Sequence, residues 1–262
     1  MKQQKLLQEI YQKLLDQFGP QSWWPAETPF EVIVGAILTQ NTNWGNVEKA
    51  LANLKKHRIL DPRGLLDVPV SRLAKLIRPA GYFNIKARRL KNFIQVLFED
   101  YNGSLAAMRR EPLKALRERL LRINGIGPET ADSILLYAFG KPVFVVDAYT
   151  RRMLYRHGLV PQRIDYHGIQ DLFNANLITD GPVFNEYHAL LVRLGKEFCR
   201  THPRCELCPL KRTSYDLQRR CRVCYRFISR AERGSLPPGE LCRNCGKAPR
   251  DAFPDGSRKS KS

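Results

Sequence analysis

Apolar residues along this chain recur mainly at intervals of three and four, the spacing that buries one face of an α-helix. The first such stretch, from about Lys5 to Gln17, stops at Phe18-Gly19-Pro20, where glycine and proline end a helix. Pro29 to Leu38 (PFEVIVGAIL) is apolar on nearly every side and predicts a buried helix. The polar cluster Thr39-Gln40-Asn41-Thr42-Asn43-Trp44 then reads as a loop at the surface of the core, and Val47 to Leu54 resumes the helical pattern. Residues 60 to 110 predict two further helices, one ended by Gly81 and the next begun by Lys86-Ala87-Arg88-Arg89, with an exposed basic face. Later helices fall near Tyr166 to Phe173 and Val183 to Phe198. In the last of these, His188 lies among apolar Tyr187, Leu190, Leu191 and Leu194 and reads as a hydrogen-bonded packing residue on a helix beside the N-terminal one.

The segment from Leu116 to Arg152 is the most informative. Leu116, Leu120 and Leu121 make one helical stripe, and Ile134, Leu135 and Ala138 make another. Between them lies Ile123-Asn124-Gly125-Ile126-Gly127-Pro128, where two glycines allow a hairpin too tight for a Cβ and Pro128 suits the first position of a new helix. Helix, hairpin, helix is the reading, with backbone N–H groups turned outward as an anion site suited to a nucleic-acid phosphate. The second helix ends at Gly140. A short apolar run, Val143 to Val146, then delivers Asp147 beside Thr150, Arg151 and Arg152, as a helix N-cap, a buried functional carboxylate, or both.

Charge sharpens the picture. With 262 residues, 43% of them hydrophobic, the chain can bury one large core or two modest ones. A formal net charge of +19 and a pI near 9.9 imply a polyanionic partner, and the even spread of Lys and Arg favours duplex nucleic acid over a membrane patch. No run of eighteen apolar residues exists, and the N-terminal stretch reads as an amphipathic helix rather than a signal peptide, so a cytoplasmic monomer is expected. All three tryptophans, Trp23, Trp24 and Trp44, fall in the first 44 residues, either as core packing or as a stacking wall for a base.

These segments together resemble the helix-hairpin-helix DNA glycosylase superfamily, of which endonuclease III is a member. The resemblance rests on the glycine hairpin, Thr130-Ala131, the Val146-Asp147 pair, and a Gly-x-x-Asn-x-Lys-Ala turn ending in Lys86-Ala87, and it covers roughly residues 5 to 210. It implies a mostly helical, bilobal fold with a cleft between lobes. It also implies that Asn124, Gly125, Ile126, Gly127 and Lys86 contact double-stranded DNA, that Gln40 enters the gap left by a flipped base, and that Asp147 is catalytic. Endonuclease III carries a lysine nucleophile two residues after the second hairpin glycine; this chain has Glu129, and a carboxylate cannot form the Schiff base that strand cleavage requires. The 3-methyladenine DNA glycosylase III branch resembles the chain further, sharing the Trp-Trp-Pro segment, the Leu-Thr-Gln-Asn-Thr segment and a glutamate at the Glu129 position. That likeness implies a base pocket lined by Trp23, Trp24, Pro25, Trp44 and Glu129. Indole faces favour a cationic alkylated base through cation-π attraction.

All seven cysteines lie after residue 198, which in a chain read as cytoplasmic fits metal ligation better than disulfides. Cys221, Cys224, Cys242 and Cys245 form C-x2-C, seventeen residues, C-x2-C, the spacing of a four-cysteine zinc ribbon. Cys199, Cys205 and Cys208 sit where endonuclease III has a four-iron four-sulfur (4Fe-4S) loop, but the first gap is one residue short and Ser214 replaces the fourth thiolate, a poor cluster ligand. Cys221 could serve either site.

The expectation is therefore a glycosylase core over residues 1–198, a cysteine loop over 199–220, a zinc-ribbon-like module over 221–250 and a disordered tail over 251–262. The activity expected is monofunctional excision of a damaged, alkylated base such as 3-methyladenine. The alternatives are an endonuclease III-like enzyme that also nicks the strand, and a non-catalytic binder of DNA structure.

Overall fold

A computed structural model describes residues 2–211 and 213. Among them the regular structure is helical, with no strand, as the spacing of apolar positions requires. The chain divides into two compact units that interleave in sequence. One takes residues up to Gln21, Val146–Ile178 and the chain from Glu186 onward; the other takes Ser22–Val145 and Thr179–Asn185.

α1 (Lys2–Phe18) belongs to the first unit, and the second unit follows it with α2 (Pro29–Thr39), α3 (Trp44–Lys56), α4 (Pro62–Asp67), α5 (Val70–Leu76), α6 (Phe83–Tyr101), α7 (Leu105–Arg110), α8 (Leu113–Arg122) and α9 (Pro128–Ser133). Side-chain caps mark the starts: Thr28, Asn43, Asp61 and Ser104 each accept a backbone N–H three residues on. α2 is the central rod of this unit. Phe30 through Leu38 are all buried, and α3, α6 and α9 pack around it.

Two expectations change here. Residues 60–110 form four α-helices and a 3-10 turn (Arg78–Ala80) rather than two helices, because Pro62, Pro69 and Pro79 each sit at or just before a helix start and cut the run into short pieces. The helix after the hairpin is not regular to Gly140: α9 gives way to a π-helical turn over Ile134–Ala138, and Gly140, at φ +67°, ends it. Val143 to Val146 are buried and lie outside any helix or strand.

The first unit resumes with α10 (Ala148–Arg156) and α11 (Tyr166–Asn176), and α12 (Gly181–Glu197) runs into it from the second. Its core is the pairing of α12 with α1 that the apolar pattern suggested. Tyr187 is fully buried, donates its hydroxyl to Leu7 O at 2.8 Å, and packs edge-on against Tyr11 and Phe173 at 5.1 and 5.4 Å. Gly195 leaves room for Tyr149, since a Cβ there would come within 2.3 Å of the ring.

Candidate functional site

The hairpin between α8 and α9 closes through Ile126 N–H to Ile123 O (3.0 Å), and Ala131 N–H to Gly127 O (2.9 Å) opens α9. Its two glycines have different reasons. Gly125 sits at φ +95° with the stem of Arg89 so close that an added Cβ would lie 2.3 Å from Cγ. Gly127 has an ordinary φ of −92°, and a Cβ added there would meet nothing within 4 Å, which leaves its backbone open to a phosphate. Asn124 and Gly127 are exposed, whereas Ile126 is 4% exposed, so its side chain anchors the hairpin and only its backbone is available to DNA. Beneath, Arg117 of α8 donates to both oxygens of the fully buried Asp132 of α9, at 2.6 and 3.0 Å.

Gln40, at the end of α2, is tied to the same hairpin. Its Nε2 donates to Gly125 O and to Thr130 Oγ1, both at 2.9 Å, and its Oε1 accepts from Arg89 Nη1. Lys86 departs from the expected basic face: it is 1% exposed and donates to Leu38 O (2.9 Å) and Ala80 O (2.7 Å), closing the C-terminal end of α2. Burial, and then the charge of Arg89, push its pKa down to about 8. Its side chain is a structural cap on the end of α2. Arg88, two residues on, is the exposed cation of this turn.

Trp23, Trp24 and Trp44 do come together. Ring centroids lie 5.6 Å apart for Trp23 and Trp24, 5.1 Å for Trp24 and Trp44, and 6.3 Å for Trp23 and Trp44. A fourth ring, Tyr137 of the π-helical turn, stands 5.1 Å from Trp24. Gly35 of α2 forms the floor, with Trp24 and Trp44 at 3.4 to 3.5 Å from where its Cβ would be. Each indole is half-buried and Pro25 is exposed. Glu129, in the first turn of α9, is exposed, and its carbonyl accepts from Ser133 Oγ at 2.7 Å.

In the first unit, Asp147 is the N-cap of α10: Oδ1 accepts from Thr150 N–H at 2.7 Å. Its Oδ2 lies 3.7 Å from Nε2 of His188, whose ring is 5% exposed. Burial pushes the His188 pKa down, and Asp147 draws it partway back. Tyr149, pushed up by burial and then by Asp147, flanks the same carboxylate. Cap and candidate functional carboxylate are thus one residue.

At the other end of α10, Arg152 donates to Cys199 O (2.7 Å), and Arg156 donates to the Cys199 thiol (3.5 Å), to Arg200 O and to Thr201 O (2.9 Å). Cys199 and Cys208 are buried, Cys205 is half-buried, and none of the three is in a disulfide. Among the described residues no three His, Cys, Asp or Glu side chains draw together as a metal-holding group. Ser214, Cys221, Cys224, Cys242 and Cys245, and with them the zinc reading, lie outside the described residues. No helix among the described residues is long and apolar enough to cross a membrane.

Sequence reasoning missed Tyr137 and the Arg117–Asp132 pair, and read Arg89 only as part of the basic run Lys86-Ala87-Arg88-Arg89.

Comparison with known proteins shows the family of the chain. Residues 34–177 match the HhH-GPD superfamily of base excision DNA repair proteins, and the chain belongs to that family. It is 49% identical to a protein of Methanocaldococcus jannaschii provisionally named DNA repair glycosylase MJ1434, over 80% of this chain and 97% of the relative. Endonuclease III of Thermotoga maritima is 31% identical over 70% of this chain and 81% of its own length. Among solved structures, H. pylori 3-methyladenine DNA glycosylase (MagIII) bound to 1,N6-ethenoadenine superposes with a TM-score of 0.65 at 30% identity, covering 74% of this chain and 97% of that one. An endonuclease III–DNA complex shares the fold at a TM-score of 0.69 and 22% identity, over 80% of this chain and 94% of that one.

Proposed function

We propose that this base excision repair protein is a monofunctional DNA N-glycosylase that releases a cationic alkylated base, such as N3-methyladenine, from duplex DNA. The observation that carries the reading is the cluster of Trp23, Trp24 and Trp44 with centroids 5.1 to 6.3 Å apart, an assembly of electron-rich faces in a protein with a surplus of positive charge. Electron-rich π-faces attract a cationic base over its neutral counterpart even within a basic chain. The likeness to the H. pylori 3-methyladenine glycosylase supports the same substrate class.

In this reading Asn124 to Gly127 grip a phosphate, Gln40 fills the vacated stack, and the indoles with Pro25 and Glu129 receive the extruded base. The glycosidic bond breaks with its electron pair going to the base, which leaves neutral. Water adds to the sugar carbon and releases one proton to solvent, and Asp147 stabilises the developing positive charge on the sugar or aligns that water. An abasic site remains. Strand cleavage would need an amine nucleophile, and Glu129 supplies none. Lys141 is engaged elsewhere, donating to Glu111 O at 2.6 Å.

The test is incubation of the purified protein with duplex DNA containing N3-methyladenine, following released base and strand breaks before alkali treatment. Base release without breaks is expected. Breaks in step with release would replace this reading with the endonuclease III-like one, and no release would overturn the substrate class.

A further inference from the structure

We propose that Arg89 is a positioning residue that holds Gln40 against the hairpin, so that phosphate grip and gap filling act as one device. The proposal rests on the roles given above to the hairpin and to Gln40.

Two contacts of Arg89 tie it to the hairpin and to Gln40, and two neighbouring sets of bonds complete the arrangement. Its stem lies on Gly125, with Cγ, Cδ and Nε at 2.3, 2.7 and 2.8 Å from an added Cβ, so the glycine is required by the arginine as well as by its own φ. Its guanidinium donates to Gln40 Oε1, a charge-assisted bond. Gln40 in turn spends its Nε2 on two hairpin acceptors, Gly125 O and Thr130 Oγ1. Asn92, one turn further along α6, adds a bond to Asn124 O at 3.0 Å. One helix therefore holds both the hairpin and the glutamine.

The arrangement assigns separate work to the two ends of one carboxamide. Arg89 fixes Oε1, while the Nε2 donors turn from Gly125 and Thr130 to the base left without its partner. Without the guanidinium the amide keeps only the Nε2 bonds that it gives up when it turns to the base, and Gln40 must be ordered afresh each time the stack is opened.

The experiment uses the full chain and a duplex in which 2-aminopurine neighbours a tetrahydrofuran abasic-site analogue, so that fluorescence rises when the gap is filled and the stack is broken. Arg89→Met keeps the stem over Gly125 and removes the guanidinium. We expect its fluorescence rise at saturating protein to fall about tenfold, its duplex affinity to stay within about threefold, and Arg89→Lys to recover part of the loss. Gln40→Ala should fall to a similar extent, and the double variant no further, because both changes break the same device; independent roles would multiply to about a hundredfold. A multiplicative double variant would overturn the proposal. So would an Arg89→Met protein whose binding loses about one unit of salt-dependence slope with its saturated signal intact, the behaviour of a plain phosphate ligand. The fluorescence assay involves no excision. A wild-type chain that opened the stack yet released no base would therefore overturn the glycosylase reading alone, and one that failed to open the stack would overturn the role of Gln40 and this proposal with it.

Discussion

Arg117 and Asp132 form a two-point ion pair, Nε to Oδ1 at 2.6 Å and Nη2 to Oδ2 at 3.0 Å, with the carboxylate fully buried and the guanidinium one-fifth exposed. The pair locks α8 to α9 directly under the hairpin. Breaking a buried pair from one side takes a charged partner from the carboxylate that remains, and such a break costs about 3–5 kcal/mol. Arg117→Ala should therefore lower the thermal midpoint by roughly 10 °C for a chain of this size. Replacing both residues by apolar ones of similar volume should recover most of that loss. Differential scanning calorimetry of the single and double variants decides it.

The two hairpin glycines should respond in opposite ways. Gly125→Ala meets both a left-handed φ and the stem of Arg89, and should destabilise the protein by about 1–3 kcal/mol in urea unfolding. Gly127→Ala meets open space at an ordinary φ and should leave stability within about 0.5 kcal/mol, while weakening duplex binding because a methyl group now stands where a phosphate approaches. Unchanged duplex affinity for Gly127→Ala would remove that backbone from the interface.

Asp147→Asn keeps an N-cap residue and the geometry of α10, and removes the negative charge. Excision should disappear while duplex affinity stays within a few-fold, read by single-turnover base release and fluorescence anisotropy. Loss of binding together with activity would count against a chemical role.

His188 gives the protein a specific acid sensitivity. Its ordinary pKa is 6.5 and burial holds it lower in the folded chain, so as pH falls below about 6.5 the unfolded chain takes up a proton that the folded chain resists. Stability is therefore full above that value and is lost as pH falls towards the folded pKa, at up to about 1.4 kcal/mol per pH unit. Asp147, whose carboxylate faces the ring at 3.7 Å, limits the loss. His188→Gln should flatten this slope between pH 7.5 and 5 in urea unfolding, and equal slopes for the two proteins would assign the sensitivity to another group.

Trp44→Ala should reduce excision of N3-methyladenine by about tenfold or more, given the worth of a desolvated cation-π contact, while Trp44→Phe retains most of it. The assay is single-turnover base release. Undiminished excision by Trp44→Ala would show that this indole packs and does not bind.

How much of this was legible in the sequence depended on whether a residue's role is local. Leu116, Leu120, Ile134 and Leu135 announced their helices because helical spacing is a property of the chain itself, and all four are buried. Asp147 was legible as a cap for the same reason. Lys86 was misread because a lysine in an exposed-looking basic run says nothing of the two carbonyls, Leu38 and Ala80, that the fold brings to it. Gly125 and Arg89 lie 36 positions apart, and Arg117 and Asp132 are separated by a hairpin whose closure puts them face to face. Pairings of that kind carry no periodic signal. The clustering of tryptophans was visible, but its fourth ring depended on a π-helical turn that spacing alone does not reveal.

The short helix α10 has one further consequence. Asp147 starts it, and nine residues later Arg156 ends it with its guanidinium clamped on the carbonyls of Arg200 and Thr201. At about 1.5 Å per residue this is a rod of roughly 14 Å with the capping carboxylate at one tip and a cysteine-bearing loop at the other. One helix of nine residues thus has its first turn closed by a carboxylate and its last turn tied to the loop that carries Cys199.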